Sequence, residues 1–158
     1  MNTYLLIKCV HIVSSVFLVG TGFGTAFYLF FANRSRDVAA IAVVSRLVVR
    51  ADTWFTFPAV IVQPVSGFWL MSQSGWTIDL FWISAAIVLY VLAGACWLPV
   101  VWLQMRLRDL AGDACARQLA LPPLYWQYAR IWEGLGYPAF VAMAGIYLLM
   151  VLKPAQMF

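Results

Sequence analysis

Residues 78–108 read IDLFWISAAIVLYVLAGACWLPVVWLQMRLR. An apolar helix extends from about Ile78 to Gln104, and Arg106 and Arg108 follow it. A helix needs about 20 apolar residues to cross the hydrocarbon of a bilayer, so this stretch is long enough to span. Pro99 bends its inner half.

Three more stretches resemble it: residues 4–31, 53–71 and 125–152. The chain is 65% hydrophobic and 10% charged, whereas soluble domains carry about a quarter charged residues. So few polar side chains cannot cover a water-soluble globule of 158 residues; lipid is the natural solvent. The expected fold is an all-α integral membrane protein, one membrane domain over residues 1–158 built as an up-down four-transmembrane-helix bundle. The first apolar run outlasts the ~7–15 residues of a signal h-region and is expected to stay as an anchor.

Val38 to Val49 is apolar but too short to span. Arg46 and Arg50 share one helical face, so residues 38–50 read as a short interfacial helix or a cytoplasmic extension of the second span. Asp52, the only acid nearby, pairs locally on this reading. Pro58, Gln63 and Pro64 mark the second span as a kinked helix packed on neighbours. Arg106, Arg108, Asp109, Asp113 and Arg117 read as a polar loop that closes at Pro122-Pro123, where a helix starts readily.

Charge placement orients the chain. Eight of the ten Lys and Arg residues flank the same two connections: Arg34, Arg36, Arg46 and Arg50 at one, Arg106, Arg108, Arg117 and Arg130 at the other. Only Lys8 and Lys153 fall on the opposite side. The positive-inside rule puts both connections in the cytoplasm and both termini outside. A net charge of +4 arranged this way leaves no basic block for nucleic acid. Cys9, Cys96 and Cys115 lie at three depths and form no disulfide framework.

Polar groups at membrane depth are costly, so each becomes a functional candidate. His11, the single histidine, lies about 10 Å below the outer end of the first helix. It is either an iron or metal ligand or a histidine hydrogen-bonded to another helix. Lys8, one turn outward on the same face, is an anchor or a partner for a haem propionate. Met143 and Tyr147 on the last helix flank the level of His11 and offer a second ligand. Arg130 and Glu133 are spaced for a local ion pair, Asp79 is solvated, and Gln63, Tyr90 and Gln104 face inward. Gly20 and Gly24 make a small-residue face suited to close helix approach, within the chain, in a homo-oligomer or against another membrane protein.

Lys8-Cys9-Val10-His11-Ile12, Arg50-Ala51-Asp52 leading to Phe57-Pro58, and Trp97-Leu98-Pro99-Val100-Val101-Trp102-Leu103-Gln104 closely resemble a bacterial family of predicted integral membrane proteins, domain-of-unknown-function 2269. The resemblance covers nearly the whole chain and implies a multi-pass protein of a bacterial inner membrane. The chain is more distantly similar to HemJ-type protoporphyrinogen oxidases, through Lys8 and His11 as K-x-x-H, Thr56-Phe57-Pro58, and Trp132-Glu133 with Pro138. That likeness implies haem b held by His11 in a redox or haem-related role. It departs at helix 3, where the HemJ lysine after the Gly-Trp pair has no counterpart among Thr77, Ile78, Asp79, Leu80 and Phe81. Porphyrinogen oxidation is not expected of a chain without it. A similarity to CopD-like copper proteins is a poor match for one histidine and scattered methionines.

A haem-associated protein is therefore the leading expectation, with an accessory membrane subunit as its rival and a small transporter or channel third. The orientation underlies all three. A reporter fused at Phe158 should be active outside the cytosol, and activity confined to the cytosol would overturn the map.

Overall fold

The computed structural model describes residues 2–154. It is all-helical: α1 (Thr3–Ser35), α2 (Val38–Ala51), a π-helical turn (Asp52–Thr56), α3 (Phe57–Gln73), α4 (Phe81–Ala116) and α5 (Pro123–Leu152). Three of these, α1, α4 and α5, are long and apolar enough to cross a membrane. The helix α3 has 17 residues, but it does not stand alone. The backbone stays right-handed helical from α2 through the π turn into α3, so residues 38–73 form one rod.

That continuity is the arrangement of the second alternative for residues 38–50, an extension of the second span, rather than of a separate helix. Ile41, Ala42, Ser45 and Val48 form a buried stripe that packs on α4 and α1, which holds the segment in line with the rod. Its start is sharp. Arg36 takes a left-handed conformation (φ 60°) that ends α1, and the Asp37 carboxylate accepts from the N–H groups of Ala39 and Ala40 at 2.9 and 3.2 Å. An N-cap of this kind satisfies two of the orphan donors of the first turn.

The π turn has a local cause. Pro58 has no N–H to give to the carbonyl four residues back, and its ring crowds that carbonyl. One extra residue in the turn lets the Phe57 N–H reach the Asp52 carbonyl instead. Asp52 and Thr56 are thereby turned inward and buried.

A correction concerns the arginine-rich segment after Gln104, which is helix rather than loop. Helix α4 runs on to Ala116, and its 36 residues at about 1.5 Å each far exceed the ~30 Å of hydrocarbon. Leu103, Leu107, Ala111 and Ala114 line its buried face. Together with Leu29, Ile41, Ala42, Val48, Tyr125 and Trp132 they belong to the molecule's apolar core at this arginine-rich end. Tyr125 adds a polar tie, its hydroxyl donating to Asn33 Oδ1 at 2.6 Å. Arg36 stacks its guanidinium over the Trp126 ring at 4.0 Å.

Away from that end the packing changes. Helices α1 and α3 pair closely, and so do α4 and α5, while α1 barely meets α5 and α3 has no extended contact with α4 or α5. The two hairpins are joined by α2 at the arginine end and part beyond it. At the far end Lys153 sits over the rings of Trp76 and Trp82 at 4.6 and 5.6 Å. Large apolar side chains such as Val16, Val88 and Val141 point outward along the rods, as residues facing lipid do.

Candidate functional site

His11 is held between α1 and α3. Its Nδ1 lies 2.8 Å from the Ser66 hydroxyl, and Gln63 Nε2 lies 3.3 Å from its Nε2. Ser66 donates to the Val62 carbonyl at 2.6 Å, which leaves its oxygen to accept from His11 Nδ1–H. The Gln63 amide then donates to a bare Nε2, while the Ser14 hydroxyl donates to Gln63 Oε1. Every group in this network has a partner with the imidazole neutral. Gly67 is what lets the ring in: a Cβ there would come within 3.2 Å of His11 Cε1.

The other residues named for a haem do not gather round it. Lys8 is exposed. Tyr147 reaches α1 one turn inward of His11, its hydroxyl donating to Ser15 at 3.0 Å. Met143 lines a cavity that His11 does not border. Both ring nitrogens of His11 are engaged, so iron ligation would first have to break the bond to Gln63 or Ser66. These residues as placed do not fit a haem. Among the described residues no group of three or more His, Cys, Asp or Glu side chains is arranged to hold a metal ion.

A second feature lies between the hairpins. A cavity of about 460 Å³ is walled by α1, the π turn with the start of α3, α4 and α5, within the ~300–1,000 Å³ of small-molecule sites. Its walls are apolar and aromatic, and Phe23 of α1 meets Phe140 of α5 edge to face, 5.6 Å between centroids, across one side of it. Gly22 and Gly94 border it, and a Cβ on either would meet nothing within 4 Å.

Besides the hydroxyls of Thr25, Tyr90 and Tyr137, its polar groups are those of Asp52, Thr56, Gln104 and Glu133 and the indole N–H of Trp97. Thr56 donates to Asp52 Oδ1 at 2.8 Å. Gln104 is 5% exposed, yet its Oε1 has no partner, and neither does the Trp97 indole N–H. Buried polar atoms are almost always satisfied, so two orphans bordering one cavity mark it as a place for a polar atom from elsewhere. The expected Arg130–Glu133 ion pair is not formed; among the described residues the ion pair present is Arg108–Asp109 at 2.7 Å.

A family model described as "Predicted integral membrane protein (DUF2269)" matches residues 5–154. The chain belongs to this family. No curated protein and no solved structure matches it. This DUF2269 protein is thus a multi-pass membrane protein with three helices fit to span, and its candidate site is read from its own geometry.

Of the polar groups at that site, Gln104 is legible in sequence as an inward-facing amide. Asp52 and Glu133 read there as locally paired charges, and Trp97 as one residue of an apolar run. The signal that could have found Asp52 is its spacing four residues before Thr56 and six before Pro58.

The histidine network generates a spectroscopic expectation. DUF2269 protein purified in mild detergent with added haem should show no Soret band that depends on His11. His11→Ala should instead cost about 1–3 kcal/mol of stability through the partners left unpaired, read as a lower midpoint in thermal unfolding. A Soret band abolished by His11→Ala would overturn the structural reading of this residue.

Proposed function

We propose that this protein crosses a bacterial inner membrane four times, with both termini on the outer face, and holds a small apolar molecule drawn from the lipid. The observation that carries the binding role is the cavity between the hairpins, with the unpartnered Gln104 Oε1 and Trp97 N–H at its wall.

The fourth crossing rests on the residue 38–73 rod. Its α3 portion of 17 residues covers about 25 Å at 1.5 Å per residue, and the π turn lengthens it toward the thickness of the hydrocarbon. Its partner α1 supplies the closest packing it receives, and Gln63 and Ser66 spend their polarity on α1 rather than on lipid. The orientation rests on the eight arginines at one end against Lys8 and Lys153 at the other. Helices rather than a barrel suit an inner membrane.

Access to the cavity is from the side. The α1–α5 seam, where the hairpins touch only lightly, is closed by rings such as Phe23 and Phe140, which rotate without breaking backbone hydrogen bonds. A hydrophobic ligand partitions into the bilayer, passes this seam and exchanges lipid contacts for aromatic walls. Its affinity comes from the few polar contacts and from shape, because apolar burial gains little when the starting solvent is hydrocarbon.

Pyrene, a neutral apolar acceptor for tryptophan emission, tests this in nanodiscs. It should quench the emission of Trp97 and Trp132 saturably, and Gly94→Phe, which projects into open space at the cavity wall, should weaken binding about tenfold or more, roughly 1.4 kcal/mol. Helicity of the variant should be unchanged by circular dichroism. Equal binding by a well-folded Gly94→Phe protein would overturn the proposal.

A further inference from the structure

We infer that the molecule held between the hairpins is a lipophilic cation. The inference rests on the binding role proposed above and goes further, to the charge of the ligand. The residues that line the cavity include two carboxylates, Asp52 and Glu133, and no lysine, arginine or histidine. Neither carboxylate has an ion-pair partner among the described residues, where the pair formed is Arg108–Asp109. Thr56 satisfies one oxygen of Asp52 without supplying charge.

Carboxylates alone do not make a site. Here a second group points the same way: Gln104, 95% buried by its 5% exposure, borders the cavity with an acceptor oxygen that nothing in the chain occupies. A carboxamide oxygen and carboxylate oxygens all seek a donor or a positive charge. The walls add to this. Tyr90, Trp97, Trp132, Tyr137 and Phe140 border the cavity, and aromatic faces attract cations, most strongly when water is excluded. An anion would meet the negative faces of these rings and two acids, with only the Trp97 N–H and the Tyr137 hydroxyl in its favour. That N–H is free to take one acceptor atom elsewhere on the same ligand.

The charge is also consistent with the cost of burying acids. An unpaired carboxylate in a low-dielectric site is expensive, and a ligand that brings the counter-charge offsets that cost on binding. A lipophilic cation reaches such a site because its apolar shell carries it into the bilayer, from which the α1–α5 seam opens to the cavity. The chemical class is an organic cation with a bulky aromatic or alkyl body, such as a phosphonium or a hydrophobic amine.

Tetraphenylphosphonium and tetraphenylborate share a shape and differ in sign, which makes them the probes of choice. Binding of each is measured by equilibrium dialysis to the full-length protein in detergent, with protein-free micelles subtracted. Tetraphenylphosphonium should bind saturably and tetraphenylborate at least tenfold more weakly. Asp52→Asn and Glu133→Gln should each weaken the phosphonium at least tenfold and lessen its preference over the borate. Should Asp52→Asn misfold, Glu133→Gln, at a less buried side chain, carries the test alone. Equal or tighter binding of the borate, or full phosphonium affinity in Glu133→Gln, would overturn the inference. Because pyrene reports on the cavity itself, loss of charge preference with pyrene still bound refutes only the cation, whereas absent pyrene binding refutes the chamber.

Discussion

Where water reaches the helices, apolar surface is driven together; where lipid surrounds them, it is not. The architecture follows from that difference. At the arginine end, Leu29, Ile41, Leu107, Ala111 and Tyr125 are wholly buried, because α2 and the last turns of α4 extend beyond what hydrocarbon can cover. Toward the middle of the bilayer the same helices have no such incentive to close, and the hairpins separate into the pairs α1 with α3 and α4 with α5. The core of this membrane protein therefore resembles that of a soluble protein, displaced to one end.

The cavity is the consequence of that arrangement, and the π turn supplies its chemistry. Pro58 forces an extra residue into the rod, the turn buries Asp52 and Thr56, and both then border the space the hairpins leave. Glycines at 22 and 94 keep the walls thin. The half away from the arginines is held differently, by polar stitches: His11 to Ser66 and Gln63, Tyr147 to Ser15, Tyr4 to Ser74 at 3.2 Å. Hydrogen bonds of this kind stand in for hydrophobic burial between membrane helices; those of His11 and Tyr4 hold α1 to α3, and the bond from Tyr147 ties α5 to α1.

The apolar lengths were legible in the sequence because lipid imposes a strict requirement of about 20 residues on any span, and the arginine count marks one end for the same reason. The extension of α4 was not, since Leu107, Ala111 and Ala114 alternate with arginines and aspartates and read as a polar connection. Their spacing, one helical face repeated over four residues, was the available signal. His11 stood out by its cost in the membrane, yet its partners lie 52 and 55 residues away, a distance that periodicity cannot bridge. The cavity was invisible for a simpler reason: space has no residue type. Asp52 and Glu133 stand far apart in sequence, and the fold alone shows that they border one volume.

Interhelical distances by spin labelling test this division most directly. One pair of labels at Arg46 and Arg117 reports on the packed end, and a second at Val16 and Val141, both exposed, spans the α1–α5 seam. The first pair should give a single narrow distance and the second a broad distribution in the same nanodiscs. Equally narrow distributions at both would show that the hairpins are locked together through the bilayer, and would contradict this division.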